Sequence, residues 1–93
     1  MEFEWNQEKA DLNLKKHGIS FDEAATVFHD LFNIEFFDPD HSAKEPRLIV
    51  VGESQMQRLL IVSFAERVGK IRIISAREVT PKERRNYEHG RFE

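Results

Sequence analysis

Hydrophobic positions follow two periods along this chain, and the change from one to the other divides it. After Ser20, the residues Phe21, Ala24, Ala25 and Phe28 recur at i, i+3, i+4 and i+7, the spacing of a helix that turns one stripe to a core. From Phe32 the period becomes two. Phe32, Ile34 and Phe36 alternate with Asn33 and Glu35, as in a strand with one buried face. Arg47 to Gly52, Arg58 to Arg67 and Lys70 to Glu78 are three more extended runs rich in branched residues, joined by a polar turn at Glu53 to Gln57 and a tight one at Val68 and Gly69. Short turns between such runs predict an antiparallel meander. In the last run strict alternation puts Ile71, Ile73, Ser75 and Arg77 on one face and Arg72, Ile74 and Ala76 on the other. Both faces are then mostly apolar with one arginine each, which predicts a central strand covered on both sides.

The helix ends are marked by capping residues. Asn6 precedes the helix-favouring run Gln7, Glu8, Lys9, Ala10, and Gly18 stands where a helix closes in left-handed geometry. On that helix Ala10 and Leu14 form a thin apolar line. Lys9, Asn13 and Lys16, with His17 one step round, form a polar line that either meets water or lines a site. Ser20 and Glu23 have capping-box spacing, with Ile19 and Ala24 placed as a hydrophobic staple around them. Thr80, Pro81 and Glu83 open a third helix in the same way. From Lys82 onward only Tyr87 and Phe92 are sizeable apolar or aromatic groups, so that helix is either frayed or completed by a partner. Phe3 to Trp5 reads as a short first strand or an extended lead-in. The expected fold is one α+β domain over residues 1–93: an antiparallel four-stranded sheet, with the short first strand as an option, packed with two N-terminal helices and a C-terminal helix.

Composition narrows the function. A chain of 93 residues with 40% hydrophobic content supports one small core. It has no cysteine, which excludes disulfides and thiolate chemistry. No apolar stretch approaches the roughly 20 residues of a membrane span, and none of the secretory kind follows Met1. A cytoplasmic protein without a membrane partner is expected. The net charge of -3 is unevenly placed: through Glu66 there are 6 Lys and Arg against 13 Asp and Glu, and from Arg67 onward 8 against 4. A basic third on an acidic molecule is the local patch that phosphate recognition uses; the plainer reading is a solvated helix face with ordinary salt bridges.

His17, His29, His41 and His89 show no paired spacing, so no metal site is expected. Ser54 and Ser75 lack a glycine elbow, and no glycine-rich phosphate loop exists. No cofactor is implied. What remains is a set of cations with a few proton carriers: Lys16, His17, Glu66, Arg67, Arg72, Arg77, Arg84, Arg85 and Tyr87. Cleaving RNA needs no metal when the 2′-hydroxyl is the nucleophile. The protein must take that proton, stabilise charge on the phosphorane oxygens and protonate the leaving 5′-oxygen. Arginine suits the second task because its planar fork meets two phosphate oxygens, and histidine is the usual proton carrier. Each residue also has an ordinary reading. His17 can cap a helix end, Glu66 and Arg67 can pair across a turn, and Arg84 can pair with Glu88 at i, i+4. Arg77 stands apart, because an arginine among isoleucines needs an acceptor.

Taken together, FEWN with Lys9 and Asn13, KHGIxFxEAxxVF from Lys16 to Phe28, the loop DPDHS followed by Glu45 and Arg47, RLLIVSFAER, and RIISAREVTPKERRNYE resemble the BrnT family of type II toxin-antitoxin toxins. The resemblance runs from Phe3 to about Glu88. It implies a RelE-like ribonuclease fold, messenger RNA cleavage that halts translation, and neutralisation by a BrnA-type antitoxin, the pair forming a heterotetramer that reaches operator DNA through the antitoxin. The motif positions it carries over are Lys16, His17, His41, Arg47, Arg67, Arg72, Arg77, Glu83 and Tyr87. The expected site is that of a metal-independent endoribonuclease, with Lys16, His17, Arg67, Arg77 and Tyr87 catalytic in a groove beside the sheet and Arg72, Arg84 and Arg85 binding substrate. Arg84, Arg85 and Arg91 would also suit an acidic antitoxin segment. Met56 stands in a turn where the family tends to have glycine, so a differently shaped turn is expected. The acidic balance, unlike that of strongly basic RelE-type toxins, supports a second reading: a catalytically inactive docking module that binds an antitoxin and co-represses their operon.

Overall fold

Asn6 opens the first helix as its sequence requires, its side chain accepting from the Lys9 N–H at 3.0 Å, and Gly18 closes it at φ 71°. The structure is a computed structural model that describes residues 1–41 and 45–90; the expectations for Arg91, Phe92 and the His41 side chain lie outside what it describes. The elements in order are β1 (Glu2–Glu4), α1 (Gln7–His17), α2 (Phe21–Thr26, continued by a 3-10 turn Val27–His29), β2 (Ile34–Asp38), β3 (Arg47–Glu53), β4 (Leu59–Arg67), β5 (Lys70–Glu78) and α3 (Pro81–Glu88). The strands form one sheet in the order β1-β5-β4-β3-β2. Neighbours from β2 to β5 are antiparallel, while β1 runs parallel to β5, pairing Phe3 with Ile71. The optional first strand is therefore present, which makes the sheet five-stranded and mixed rather than four-stranded and antiparallel, and β4 rather than β5 holds its centre. Three residues are too few for a period to declare β1; the chain between it and β5 makes the long crossover that a parallel pair needs.

One face of the sheet carries the core. Val50, Leu60, Val62, Phe64, Ile73 and Ala76 meet Ala10, Ile19, Phe21, Ala24 and Val27 from the helices. Phe28 stands edge-on to Phe64 at 4.9 Å between ring centroids, and Trp5 edge-on to Phe21 at 5.9 Å, the arrangement aromatic quadrupoles favour. Gly52 lets the segment after α2 lie against β3: a Cβ there would stand 2.8 Å from that of Asn33.

Strict alternation fails in β5. Phe64 pairs with Ile73 but Ser63 pairs with Ser75, so Ile74 is an extra, bulged residue. Arg72, Ser75 and Arg77 consequently oppose Ala65, Ser63 and Ile61, which share one face of β4. The bulge thus brings both arginines to the same, core-free side, whereas unbroken alternation separates them.

The inward face of α1 also differs from expectation. Asn13 is 7% exposed, while Leu14 is 50% exposed. β1 pairs with β5 only as far as Arg72, and beyond it the backbone of Ala76 faces α1. Asn13 completes that edge like a short strand: its Nδ2 donates to the Ala76 carbonyl at 2.8 Å and the Ile19 carbonyl at 3.0 Å, and its Oδ1 accepts from the Ala76 N–H at 3.1 Å. A buried amide with all these partners outweighs a leucine there, because a bare strand edge against a helix leaves polar groups unmet.

Ser20 accepts from the Glu23 N–H at 3.0 Å, but the Glu23 carboxylate turns away from the cap, so only half of the expected box forms. In α3 both halves are present: Thr80 Oγ1 accepts from the Glu83 N–H, and the Thr80 N–H donates to Glu83 Oε1 at 2.8 Å. Among the described residues no helix is long and apolar enough to cross a membrane.

Candidate functional site

The sheet face opposite the core is only partly covered. At one end α3 lies over it, the Tyr87 hydroxyl donating to the Phe32 carbonyl at 2.8 Å. The middle is an open basin of about 370 Å³ whose floor includes Ile49 and Ile61. Arg77, Arg47, Asp38 and His17 stand around it, with Ser63 and Ser75 between them. Each arrives by a local rule. The bulge turns Arg77 outward; Asp38 and Arg47 are cross-strand partners at the ends of β2 and β3; and Gly18 ends α1 so that His17 stands at the rim beside Ser75.

Arg77 is 40% exposed at its side chain and meets Glu83 of α3 twice, Nη1 to Oε1 at 2.8 Å and Nη2 to Oε2 at 2.9 Å. This is the acceptor its position demanded. The Arg77 hydrogen bond, aided by the Thr80 N–H, holds the Glu83 carboxyl down at about 2 against the cost of its burial, and the same bond raises Arg77 further.

Arg67 lies at the far, β4–β5 turn end, exposed and forked onto Glu45 at 2.7 and 3.0 Å. That contact lowers the Glu45 carboxyl, and Arg47 and Arg72 add to the effect through their charge. Arg72 reaches Glu4 at 3.4 Å. Lys16 is next to His17 but lines a second cavity, of about 540 Å³, between α1 and β5. Tyr87 and Arg84 line a separate hollow under α3 with Asp30 and Glu53; burial, then the charges of Asp30 and Glu53, pushes the Tyr87 hydroxyl up. Arg85 is exposed on α3.

The structure therefore gathers His17 and Arg77 in one basin, sets Lys16 beside it and Arg67 and Arg72 beyond its β4–β5 end, and leaves Tyr87, Arg84 and Arg85 outside it on α3. Sequence reasoning missed Asp38 as a basin residue; its signal was an opposite charge, Arg47, across the Asp38 to Arg47 loop. It also missed Glu23. That side chain is 6% exposed at the residue level, binds Arg58 through both oxygens and accepts from Ser54 Oγ at 2.7 Å. Arg58 lowers the Glu23 carboxyl more than burial raises it. None of the three lines the basin; they tie α2 to the β3–β4 turn. Among the described residues no group of three or more His, Asp or Glu could hold a metal ion.

Two helices on one face of a small mixed sheet, with a basin ringed by His17, Asp38, Arg47 and Arg77 on the other, define a compact α+β protein. The chain matches, over residues 5–83, the family described as ribonuclease toxin, BrnT, of type II toxin-antitoxin system, and it belongs to that family. Its fold is similar to the 1.1 Å crystal structure of the Brucella abortus ribonuclease toxin BrnT, with a TM-score of 0.64 over 86% of this chain and 97% of that one, at 23% identity. No curated protein matches it in sequence.

Proposed function

We propose that this ribonuclease toxin acts as a metal-independent endoribonuclease in the cytoplasm, cleaving RNA through its own 2′-hydroxyl and so inhibiting translation. The observation that supports this most is the convergence of His17, Arg47 and Arg77 over an isoleucine floor. Phosphate oxygens meet the positive charge of Arg47 and of Arg77, whose Nη1 and Nη2 stay held by Glu83, and a base rests on Ile49 and Ile61. The 2′-oxygen attacks phosphorus as its proton leaves, negative charge gathers on the non-bridging oxygens, and the bond to the 5′-oxygen breaks as that oxygen takes a proton. His17 and Asp38 are the proton-exchanging groups at the rim. The 2′,3′-cyclic phosphate and the 5′-hydroxyl balance the step. Lys16, Arg67 and Arg72 add positive charge along the approaches.

A BrnA-type antitoxin neutralises it, the pair assembling as a heterotetramer that reaches operator DNA through the antitoxin. Leu31 at 93% exposure and Phe32 at 81%, beside Tyr87 of α3, support docking there, with Arg84 and Arg85 meeting acidic groups. The same patch supports the second reading, an inactive docking and co-repressing module. Inducing the chain without its antitoxin, beside Arg77→Ala and His17→Ala at equal abundance, separates them. Growth arrest with RNA loss, relieved by both substitutions, is expected; unchanged growth from folded protein would transfer the role to docking.

A further inference from the structure

The groove between α1 and the outer edge of β5 lies beside the basin, and of its lining only His17 and Lys16 enter the chemistry above. It is about 540 Å³, larger than the basin, and it shares His17 and Ser75 with the basin. The two thus adjoin at His17 and Ser75, where the groove leaves the sheet face over the edge of β5. That exit is open because β1 stops pairing at Arg72, and it is low because Asn13 completes the Ala76 backbone without adding a strand.

The lining is cationic and apolar. Lys9, Leu12 and Lys16 stand at i, i+3 and i+7, one face of α1, with Lys15 beside them, and among the described residues no carboxylate lines the groove. Leu12 is 65% exposed. Opposite it stands Ile74, the bulged residue of β5, so the insertion that turns Arg77 to the basin also supplies an apolar wall here. Lys9 to Lys16 spans about 10 Å along the helix, long enough for successive phosphates. The opposite end of the basin is closed by α3 through the Arg77–Glu83 and Tyr87–Phe32 contacts.

We infer that this groove is a second binding track for single-stranded RNA, holding the nucleotides that flank the cleaved bond on one side. Lys9, Lys15 and Lys16 hold phosphates along a positively charged groove, which binds single strands without reading sequence, and Leu12 and Ile74 give a base apolar walls. The wall of His17 and Ser75 shared with the basin favours RNA over an acidic peptide, since a strand cut in the basin must leave it somewhere. The inference rests on the ribonuclease reading, yet it is separable from it.

The test is the length dependence of binding, with 2′-deoxy-substituted RNA of about three and about twelve nucleotides, in wild type and in a Lys9→Ala/Lys15→Ala variant whose melting temperature is checked first. The variant should bind the longer oligonucleotide about tenfold more weakly, with a salt slope shallower by about 1.4, the two phosphate contacts removed. It should bind the short one as wild type does. Equal affinity for the long RNA, or equal loss on both lengths, overturns the track. So does unchanged RNA binding with lost binding of an acidic antitoxin segment, which would assign the groove to protein. If wild type cleaves no RNA, the catalytic reading fails while the length dependence still decides this one.

Discussion

Arg77 and Glu83 are joined by two parallel hydrogen bonds, 2.8 and 2.9 Å, across the turn from β5 to α3. Glu83 Oε1 also accepts from the Thr80 N–H at 2.8 Å. One carboxylate therefore caps the last helix and orients one of the two arginines of the basin. Glu83→Gln keeps the shape but removes the charge, and should cost about 1 to 2 kcal/mol, discounted for the solvent that reaches both side chains. The folded carboxyl sits at about 2, below its ordinary 4.5. A depressed carboxylate stabilises fully above the ordinary value and loses that contribution as pH falls toward the folded one. The gap in urea midpoint between wild type and variant should thus be constant near neutrality and close between about 4.5 and about 2. A gap that persists below that range would exclude Glu83 ionisation as its source.

Asn13 should be the least replaceable residue of α1. Asn13→Ala leaves the N–H and carbonyl of Ala76 facing a helix without a partner, at a cost of about 2 to 4 kcal/mol. Asn13→Leu, a better helix former, should be no better. Leu14→Ala, on the exposed side, should cost under about 0.5 kcal/mol. Chemical denaturation of the three variants ranks them, and a larger loss at Leu14 would mean that α1 is turned the other way.

The contrast shows what the sequence could and could not declare. Asn6, Ser20 and Thr80 each meet a partner three residues on, and local spacing revealed them. Asn13 meets Ala76 across 63 positions and Glu23 meets Arg58 across 35, distances at which polar side chains look alike until the chain folds. The bulge at Ile74 is a matter of register, set by β4, and no period within β5 contains it. Two side chains of the basin, His17 and Arg77, were legible as candidate residue types. Their meeting was not, because it depends on which face the bulge presents and on where α1 ends.

The β4–β5 turn holds a removable strain. Val68 has φ 49° and Gly69 φ 78°, and Val68 is fully exposed. A branched side chain disfavours left-handed geometry, whereas Asn-Gly suits a two-residue hairpin with both φ positive. Val68→Asn should raise stability by about 0.5 to 1 kcal/mol, read as a higher melting temperature with RNA binding unchanged.

Glu23 tests the opposite case, a buried charge held only by its partners. Glu23→Ala removes the acceptor of both Arg58 and Ser54 and frees the β3–β4 turn from α2. It should destabilise by about 2 to 3 kcal/mol, and Glu23→Gln, which keeps some hydrogen bonds, by less. Hydrogen exchange should show the Ser54 and Gln57 amides, which close that turn, losing protection before those of β4. Loss of protection spread evenly over the sheet would contradict a local tie.

Tyr87 separates a residue that belongs to the family motif from one that stands in the basin. Its hydroxyl donates to the Phe32 carbonyl under α3, and burial with the charges of Asp30 and Glu53 keeps its proton in place. A hydroxyl so engaged acts as a clasp between α3 and the segment before β2. Tyr87→Phe should therefore lower stability by about 0.5 to 1.5 kcal/mol and leave kcat/KM for RNA within about twofold. Arg47→Ala, by contrast, removes a basin guanidinium that the proposed mechanism sets against developing phosphorane charge, and should lower kcat by about a hundredfold or more. His17→Ala should lower kcat without a matching change in KM, as the loss of a proton carrier does. A Tyr87→Phe enzyme as impaired as Arg47→Ala would bring α3 into the active site, and would require the helix to move over the basin when RNA binds.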